Sequence, residues 1–190
     1  MTWYVVDGMD GSGKSSIANT LCSCLSSNGR KVIVLTHPNT DTFIGRLERK
    51  ALTIEGKPAL IVTIGLYIAD VLSSLSKLKR LQRIYDDVVF VRYTGAVAYL
   101  PESICPIAYR TISSILPKPD VRLFVDVDAE TAMSRIRSRG DDVEVFETVE
   151  KLESTRSKLR TILADWEVID NTGTIEESRL KVEECIRSRS

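Results

Sequence analysis

The sequence predicts a doubly wound α/β fold: a five-stranded parallel sheet with helices on both faces. Three observations predict it. Strand-like and helix-like segments alternate along the whole chain. Each strand-like segment is a continuous apolar run, as in strands buried on both faces. A glycine-rich turn separates the first such run from the first helical one, where open α/β sheets place ligand-binding loops.

The elements follow in order. "TWYVVDG" is a β-rich run ending in glycine. "KSSIANTLCSCLSSNG" then has helical spacing, with Ile17, Leu21 and Leu25 at intervals of four and Asn28-Gly29 as a C-terminal stop. "KVIVLTH" is the second strand. Residues from about Phe43 to Leu52 look helical and end at Gly56-Lys57-Pro58. Pro58 suits the first turn of the next helix, which runs to about Arg83 and turns basic at "KLKRLQR". "DVVFVRY" is the third strand. "AYLPESICPIAYRTISSILPKP" is helical in parts bounded by prolines. "VRLFVDVD" is the fourth strand and "AETAMSRIRSRG" a short arginine-rich helix. "EVFETVEKLESTRSKLRTILAD" is a long amphipathic helix, "WEVID" the fifth strand, and "TIEESRLKVEECIRSR" a final helix capped by Asn171 or Thr174.

At 190 residues the chain is expected to form one domain. Its 26 basic and 26 acidic residues cancel, so no global field recruits nucleic acid or an anionic membrane, and neither is expected as a partner. Anions must be handled by a few cations placed locally. Cys22, Cys24, Cys105 and Cys185 lack zinc-site spacing and are expected as reduced thiols of a cytoplasmic protein. No signal peptide is expected, because the N-terminus goes straight into a strand-like run. The most apolar stretch, Pro58 to Leu75, is interrupted by Thr63, Gly65 and Asp70 and reads as a buried helix rather than a membrane span.

Gly8-Met9-Asp10-Gly11-Ser12-Gly13-Lys14-Ser15 fits G-x-x-x-x-G-K-[ST], and it sits between a strand and a helix as that motif requires. The glycines let successive N–H groups turn inward, and the helix N-terminus adds partial positive charge. Gly11, Ser12, Gly13, Lys14, Ser15 and Ser16 are therefore ATP-binding candidates, with Asp10 inside the same loop. Lys14 is expected to reach the β- and γ-phosphates, and Ser15 to offer its hydroxyl to Mg²⁺. No N-K-x-D segment supports guanine recognition. A small-molecule kinase using ATP and Mg²⁺ fits the size, and it needs a second site for an acceptor.

In "SRIRSRG", Arg135 and Arg139 share a helix face while Arg137 points away. Arg135 is expected over the adenine ring and Arg139 on the phosphates, in a lid at about residues 135–147. A solvated basic face paired with Asp141, Asp142 and Glu144 is the competing reading. His37, the lone histidine, is open between acceptor binding and no role. Asp126 and Asp128, ending the fourth strand, are candidates for water-mediated contact with Mg²⁺. The helix from Pro58 is apolar nearly all round, so one face can pack on the sheet and the other on a second copy, a homodimer.

In the order of these segments the chain resembles the thymidylate kinase family, P-loop enzymes that move the γ-phosphate of ATP onto dTMP. "DGMDGSGKSS" is similar to E-G-x-D-G-x-G-K-[ST]-T, which implies that Asp10 approaches the acceptor's sugar. "IGRLERKAL" resembles G-x-x-I-R, implying Arg49 on the acceptor phosphate. "LYIAD" resembles L-F-x-A-[DN], implying Tyr67 against the base, although a core tyrosine is equally open. "VRYTGAVAY" resembles D-R-Y followed by S-x-x-A-Y, implying acceptor roles for Arg92, as a catalytic phosphate contact, and Tyr99. Pro38 falls in the family's R-E-P segment. "WEVIDNTGTIEE" resembles the C-terminal V-I-D-A segment, implying that Asn171 and Thr172 border adenine.

The departures cluster around acceptor and lid. Thr36, Val71, Val91 and Val145 stand where the family has charged residues. A kinase for another small metabolite, or a nucleotide-binding protein with little catalysis, therefore remain alternatives to dTMP phosphorylation.

Overall fold

The structure is a computed structural model that describes residues 1–37, 57–139 and 148–187, with residues 57–65 and residue 139 described as backbone only. Five strands, β1 (Thr2–Asp7), β2 (Val32–Thr36), β3 (Asp87–Val91), β4 (Val121–Asp126) and β5 (Glu167–Asp170), form one sheet in the order β2-β3-β1-β4-β5. All pairs are parallel. The helices are α1 (Lys14–Ser27), α2 (Lys57–Leu81), α3 (Cys105–Ile115), α4 (Ala129–Arg139), α5 (Val149–Ile162) and α6 (Ile175–Arg187), with a 3-10 turn at Gly95–Tyr99. The fold class is the one the sequence predicts.

The continuous apolar runs have the expected cause. Along β1, Trp3 and Val5 enter one cluster with Phe90, Tyr93, Leu152, Leu159 and Trp166. The intervening Tyr4 and Val6 enter a second cluster with Ile17, Leu21, Leu25, Ile169 and Val182. Side chains alternate across the sheet, yet both faces are dry, because α1 and α6 cover one and the remaining elements the other. At roughly 25 cal/mol per Å² of apolar surface, this double burial is the main favourable term in folding.

Helix ends follow local chemistry. The first helix stops as predicted: Gly29 takes φ 76, and Arg30 N–H donates to the Leu25 carbonyl at 3.3 Å. The predicted long helix through residues 144–165 is shorter. It begins at Val149, where the Thr148 hydroxyl accepts from Lys151 N–H, and ends at Ile162. Between the two predicted caps of the final helix, the structure chooses Thr174. Its N–H donates to Glu177 at 2.9 Å, and Glu177 N–H donates back to the Thr174 hydroxyl at 3.2 Å. Asn171 is buried for another purpose. The helix expected over Phe43–Leu52 lies outside the described residues.

Because β1 is flanked by β3 and β4, connections leave the sheet centre toward opposite edges. Open sheets bind ligands at the C-terminal strand ends of such a switch point, and the glycine-rich loop follows β1 there.

Candidate active site

The loop from Gly8 to Lys14 turns back on itself because Gly11 and Gly13 take φ 73 and 90. Gly11 also lies so close to α4 that a Cβ there would overlap the Ala132 backbone. The loop's short residues thus let α4 pack directly on the glycine-rich loop. Ser15 and Ser16 are exposed at the start of α1, open to a ligand, and Gly13 adjoins them.

Lys14 is buried, with only 6% of its surface exposed. Its ammonium donates to the Met9 carbonyl at 2.6 Å and lies 3.7 Å from Asp10. Asp10 is the hub of the cluster. It ion-pairs with Arg92, accepts from the Tyr99 hydroxyl, and its own N–H donates to that same oxygen at 3.1 Å. Burial, the largest single influence, opposes ionisation of Asp10, but Arg92, Lys14 and Tyr99 outweigh it and hold the carboxyl well below the usual range. Burial and then Asp10 push the Tyr99 phenol well above its ordinary value, so it stays a donor. The charges of Lys14 and Arg92 are offset by Asp10 and the nearby Asp7, so the extra pull on an anion comes from the α1 N-terminus and its free N–H groups.

Burial, reinforced by Arg92, pushes the Lys14 ammonium down from 10.5 to about 8. The folded, ligand-free chain therefore binds this proton less tightly than the unfolded chain. The cost is full below about pH 8 and is relieved as pH rises toward 10.5. Phosphate groups beside Lys14 reverse the effect. Nucleotide binding just above pH 8 is therefore expected to take up protons, seen by calorimetry in buffers of different ionisation enthalpy, and Lys14→Met should abolish the uptake.

Arg92 is the one non-glycine residue with positive φ, 65°, among those described, a conformation costing roughly 1–3 kcal/mol. It turns the chain at the end of β3 and sends the guanidinium to Asp10 and to the His37 carbonyl, 3.2 Å away. Tyr67 reaches the same turn from α2. Its hydroxyl donates to the Tyr93 carbonyl while its ring packs on the core, as the core-tyrosine reading of this residue expects.

A second group of predicted residues converges on Gly13. The Asn171 amide donates to the Ser12 carbonyl at 2.7 Å and accepts from Ser178 at 2.7 Å. Arg135 donates through one terminal nitrogen to the Asn171 carbonyl at 2.8 Å. Its other terminal nitrogen is buried without a partner among the described residues, close to Gly13. A buried orphan donor beside a phosphate loop suits an oxygen of a bound nucleotide, and it rules out the solvated-face reading for Arg135. Thr172 is exposed next to this group.

Other expectations resolve differently. Asp126 is not available to a metal: Arg156 grips it at 2.9 and 3.0 Å and Arg160 at 2.6 Å. Asp128 caps α4 by accepting from Thr131 N–H at 2.7 Å. The sequence reading missed Arg156 and Arg160, although their i, i+4 spacing on an amphipathic helix was a usable signal. It also missed Asp7, buried at the end of β1. This carboxylate accepts from the N–H groups of Gly8, Tyr93 and Gly95 at 3.1, 3.0 and 2.8 Å. Asp7 ties the phosphate loop to the turn carrying Arg92. Val71 and Val91 are core residues, one in each cluster, so those departures from the charged pattern serve packing. Pro38, Arg49 and Val145 lie outside the described residues, as does the Arg139 side chain. No group of three or more His, Cys, Asp or Glu among the described residues could hold a metal. A divalent ion would come with the triphosphate, and the exposed Ser15 hydroxyl fits one of its positions.

Comparisons with known proteins agree with this geometry. The family model described as thymidylate kinase matches residues 6–182. The thymidylate kinase of Xanthomonas oryzae pv. oryzae (strain PXO99A) is 30% identical over 166 residues, covering 86% of this chain and 70% of that protein. A probable thymidylate kinase of Archaeoglobus fulgidus is 29% identical, covering 96% of this chain and 93% of its own length. Among solved structures, thymidylate kinase from Candida albicans superposes with a TM-score of 0.73 at 20% identity, covering 99% of this chain and 92% of the other. That last likeness speaks to the fold.

Proposed function

The chain belongs to the thymidylate kinase family, and from that premise we propose that it transfers the γ-phosphoryl group of ATP to dTMP. The observation that carries this reading is the meeting of Lys14, from the phosphate loop, and Arg92, from the end of β3, on the single carboxylate of Asp10. One cation belongs to a triphosphate site and the other faces the neighbouring anion site. Asp10 holds both in place until phosphates take over.

Phosphoryl transfer asks for positioning and positive charge rather than covalent help from the protein. A phosphate oxygen of dTMP attacks the γ-phosphorus, the bond to the β–γ bridging oxygen breaks, and ADP and dTDP result. Lys14 and the N–H groups from Gly11 to Ser16 hold the donor phosphates. Mg²⁺, bound with the triphosphate and touching Ser15, would neutralise charge on the β- and γ-phosphates. Arg92 takes the acceptor phosphate, with Arg49 beside it. Asp10, Pro38, Tyr67 and Tyr99 surround the nucleoside. Arg135, Asn171 and Thr172 border adenine, and Arg139 closes on the phosphates from the lid. Supporting a bound nucleotide on this side is the orphan donor of Arg135 next to Gly13, which suits a phosphate oxygen.

The chain is further proposed to work as a cytoplasmic homodimer, free of nucleic acid and membrane. Its support is the exposure of Ile68 and Leu72 on α2 and the absence, among the described residues, of a helix long and apolar enough to cross a membrane.

A coupled ADP-release assay across the common nucleoside monophosphates, with ATP and Mg²⁺ saturating, tests the substrate. The highest kcat/KM is expected for dTMP. No turnover with dTMP or dUMP would remove the proposal.

A further inference from the structure

His37 is the chain's only histidine and is fully buried, at the foot of the acceptor side. We propose that His37 is the positioning residue that locks Arg92 into the left-handed turn from which its guanidinium meets Asp10 and, on the reading above, the acceptor phosphate. The proposal rests on that reading of Arg92 and adds to it the device that keeps the arginine aimed.

Five contacts carry it. His37 N–H donates to the Val91 carbonyl at 3.0 Å, extending the β2–β3 ladder by one residue just before the turn. Imidazole Nδ1 lies 2.8 Å from the Arg92 carbonyl, the group that a left-handed residue swings out of the sheet. The Arg92 guanidinium donates to the His37 carbonyl at 3.2 Å. Finally, Nε2 lies 2.9 Å from the Ser74 hydroxyl on α2, and the ring packs edge-on against Phe90 with centroids 5.3 Å apart. Arg92 is thus clasped by one residue at both its main chain and its side chain.

A carbonyl can only accept, so Nδ1 carries a proton; in the neutral ring Nε2 then accepts from the Ser74 hydroxyl. Burial pushes the imidazole pKa down, which favours this neutral form. A neutral, doubly bonded ring braces the turn without adding a third cation to Lys14 and Arg92. Without it, the strained φ of Arg92 loses a hydrogen bond that an extended conformation would not make, and the guanidinium gains alternatives to Asp10.

A double-mutant cycle on the full-length protein tests this, with dTMP varied at saturating ATP. His37→Ala should lower kcat/KM for dTMP by about 10- to 100-fold, the scale expected when a contact is misplaced by roughly 1 Å. The loss should fall mainly on KM for dTMP, with KM for ATP within about twofold. His37→Asn, whose amide can donate where Nδ1 does, should recover most of the activity. In an Arg92→Ala background, His37→Ala should cause no further loss, because it acts only through Arg92. An equal loss in both backgrounds, or an unchanged dTMP kcat/KM, would overturn the proposal. Should His37→Ala be too unstable to purify, Ser74→Ala carries the same cycle. A dTMP-specific loss that vanishes without Arg92 supports the proposal; an equal loss or none overturns it. Unchanged dTMP kinetics in Arg92→Ala alone would instead sink the reading of Arg92, and His37 with it.

Discussion

Lys14→Met should lower the rate of dTMP phosphorylation by at least about 10²–10³, the range seen when one preorganised donor to a developing charge is removed. Lys14 is the one ammonium within the phosphate loop, 2.6 Å from the Met9 carbonyl and 3.7 Å from Asp10. The same change should leave the ligand-free protein as stable as before, or more so. Its ammonium is buried and held down to about 8, which means folding disfavours its charge. Methionine fills similar space without that cost, and Asp10 keeps Arg92 and Tyr99. Activity and melting temperature should therefore part company. Melting curves with and without ATP, beside initial rates, check this. A fall in both by matching amounts would make Lys14 a structural residue rather than a phosphate ligand.

The opposite pattern is expected at Asp7. Asp7→Ala removes the acceptor for two buried N–H groups, those of Tyr93 and Gly95, besides the local one from Gly8. Each buried donor left without a partner costs about 1–3 kcal/mol, so the variant should be about 2–6 kcal/mol less stable by urea unfolding. No longer side chain can substitute, because the Gly95 backbone approaches Asp7 so closely that a Cβ there would overlap the carboxylate. Surviving protein should also show weakened use of dTMP, since the turn that Asp7 holds begins one residue after Arg92. A loss under about 0.5 kcal/mol would show that water replaces the carboxylate.

The charge balance also explains which departures from the family pattern are tolerable. Val71 and Val91 are both buried in hydrophobic clusters. A charge restored at either position would meet apolar neighbours and no counter-ion supplied by them. Arg92, by contrast, keeps a carboxylate, a carbonyl and a strained backbone organised around it.

What the linear order of residues determined by itself was the architecture and the donor half of the site. Apolar runs buried on both sides, alternating with helical spacing, admit few arrangements other than a covered parallel sheet, and all five strands were legible. The phosphate loop was legible for the same reason: its backbone conformation is dictated locally by Gly11 and Gly13. Arg135 and Asn171 could be nominated from sequence, but only the packing of α4 against the loop brings both to Gly13.

Tertiary structure alone decided the partners of buried charges. Asp126 looked like a metal contact and proves to be gripped by two arginines from a helix about thirty residues later. Asp7 looked like the end of a strand and proves to brace the turn after β3, 86 residues away in the chain. A carboxylate's role depends on which donors arrive within hydrogen-bond distance, and contacts at such separations leave no local spacing to read. Whether His37 had any task was equally invisible, because its meaning lies in an unusual φ at Arg92 that no side-chain pattern announces.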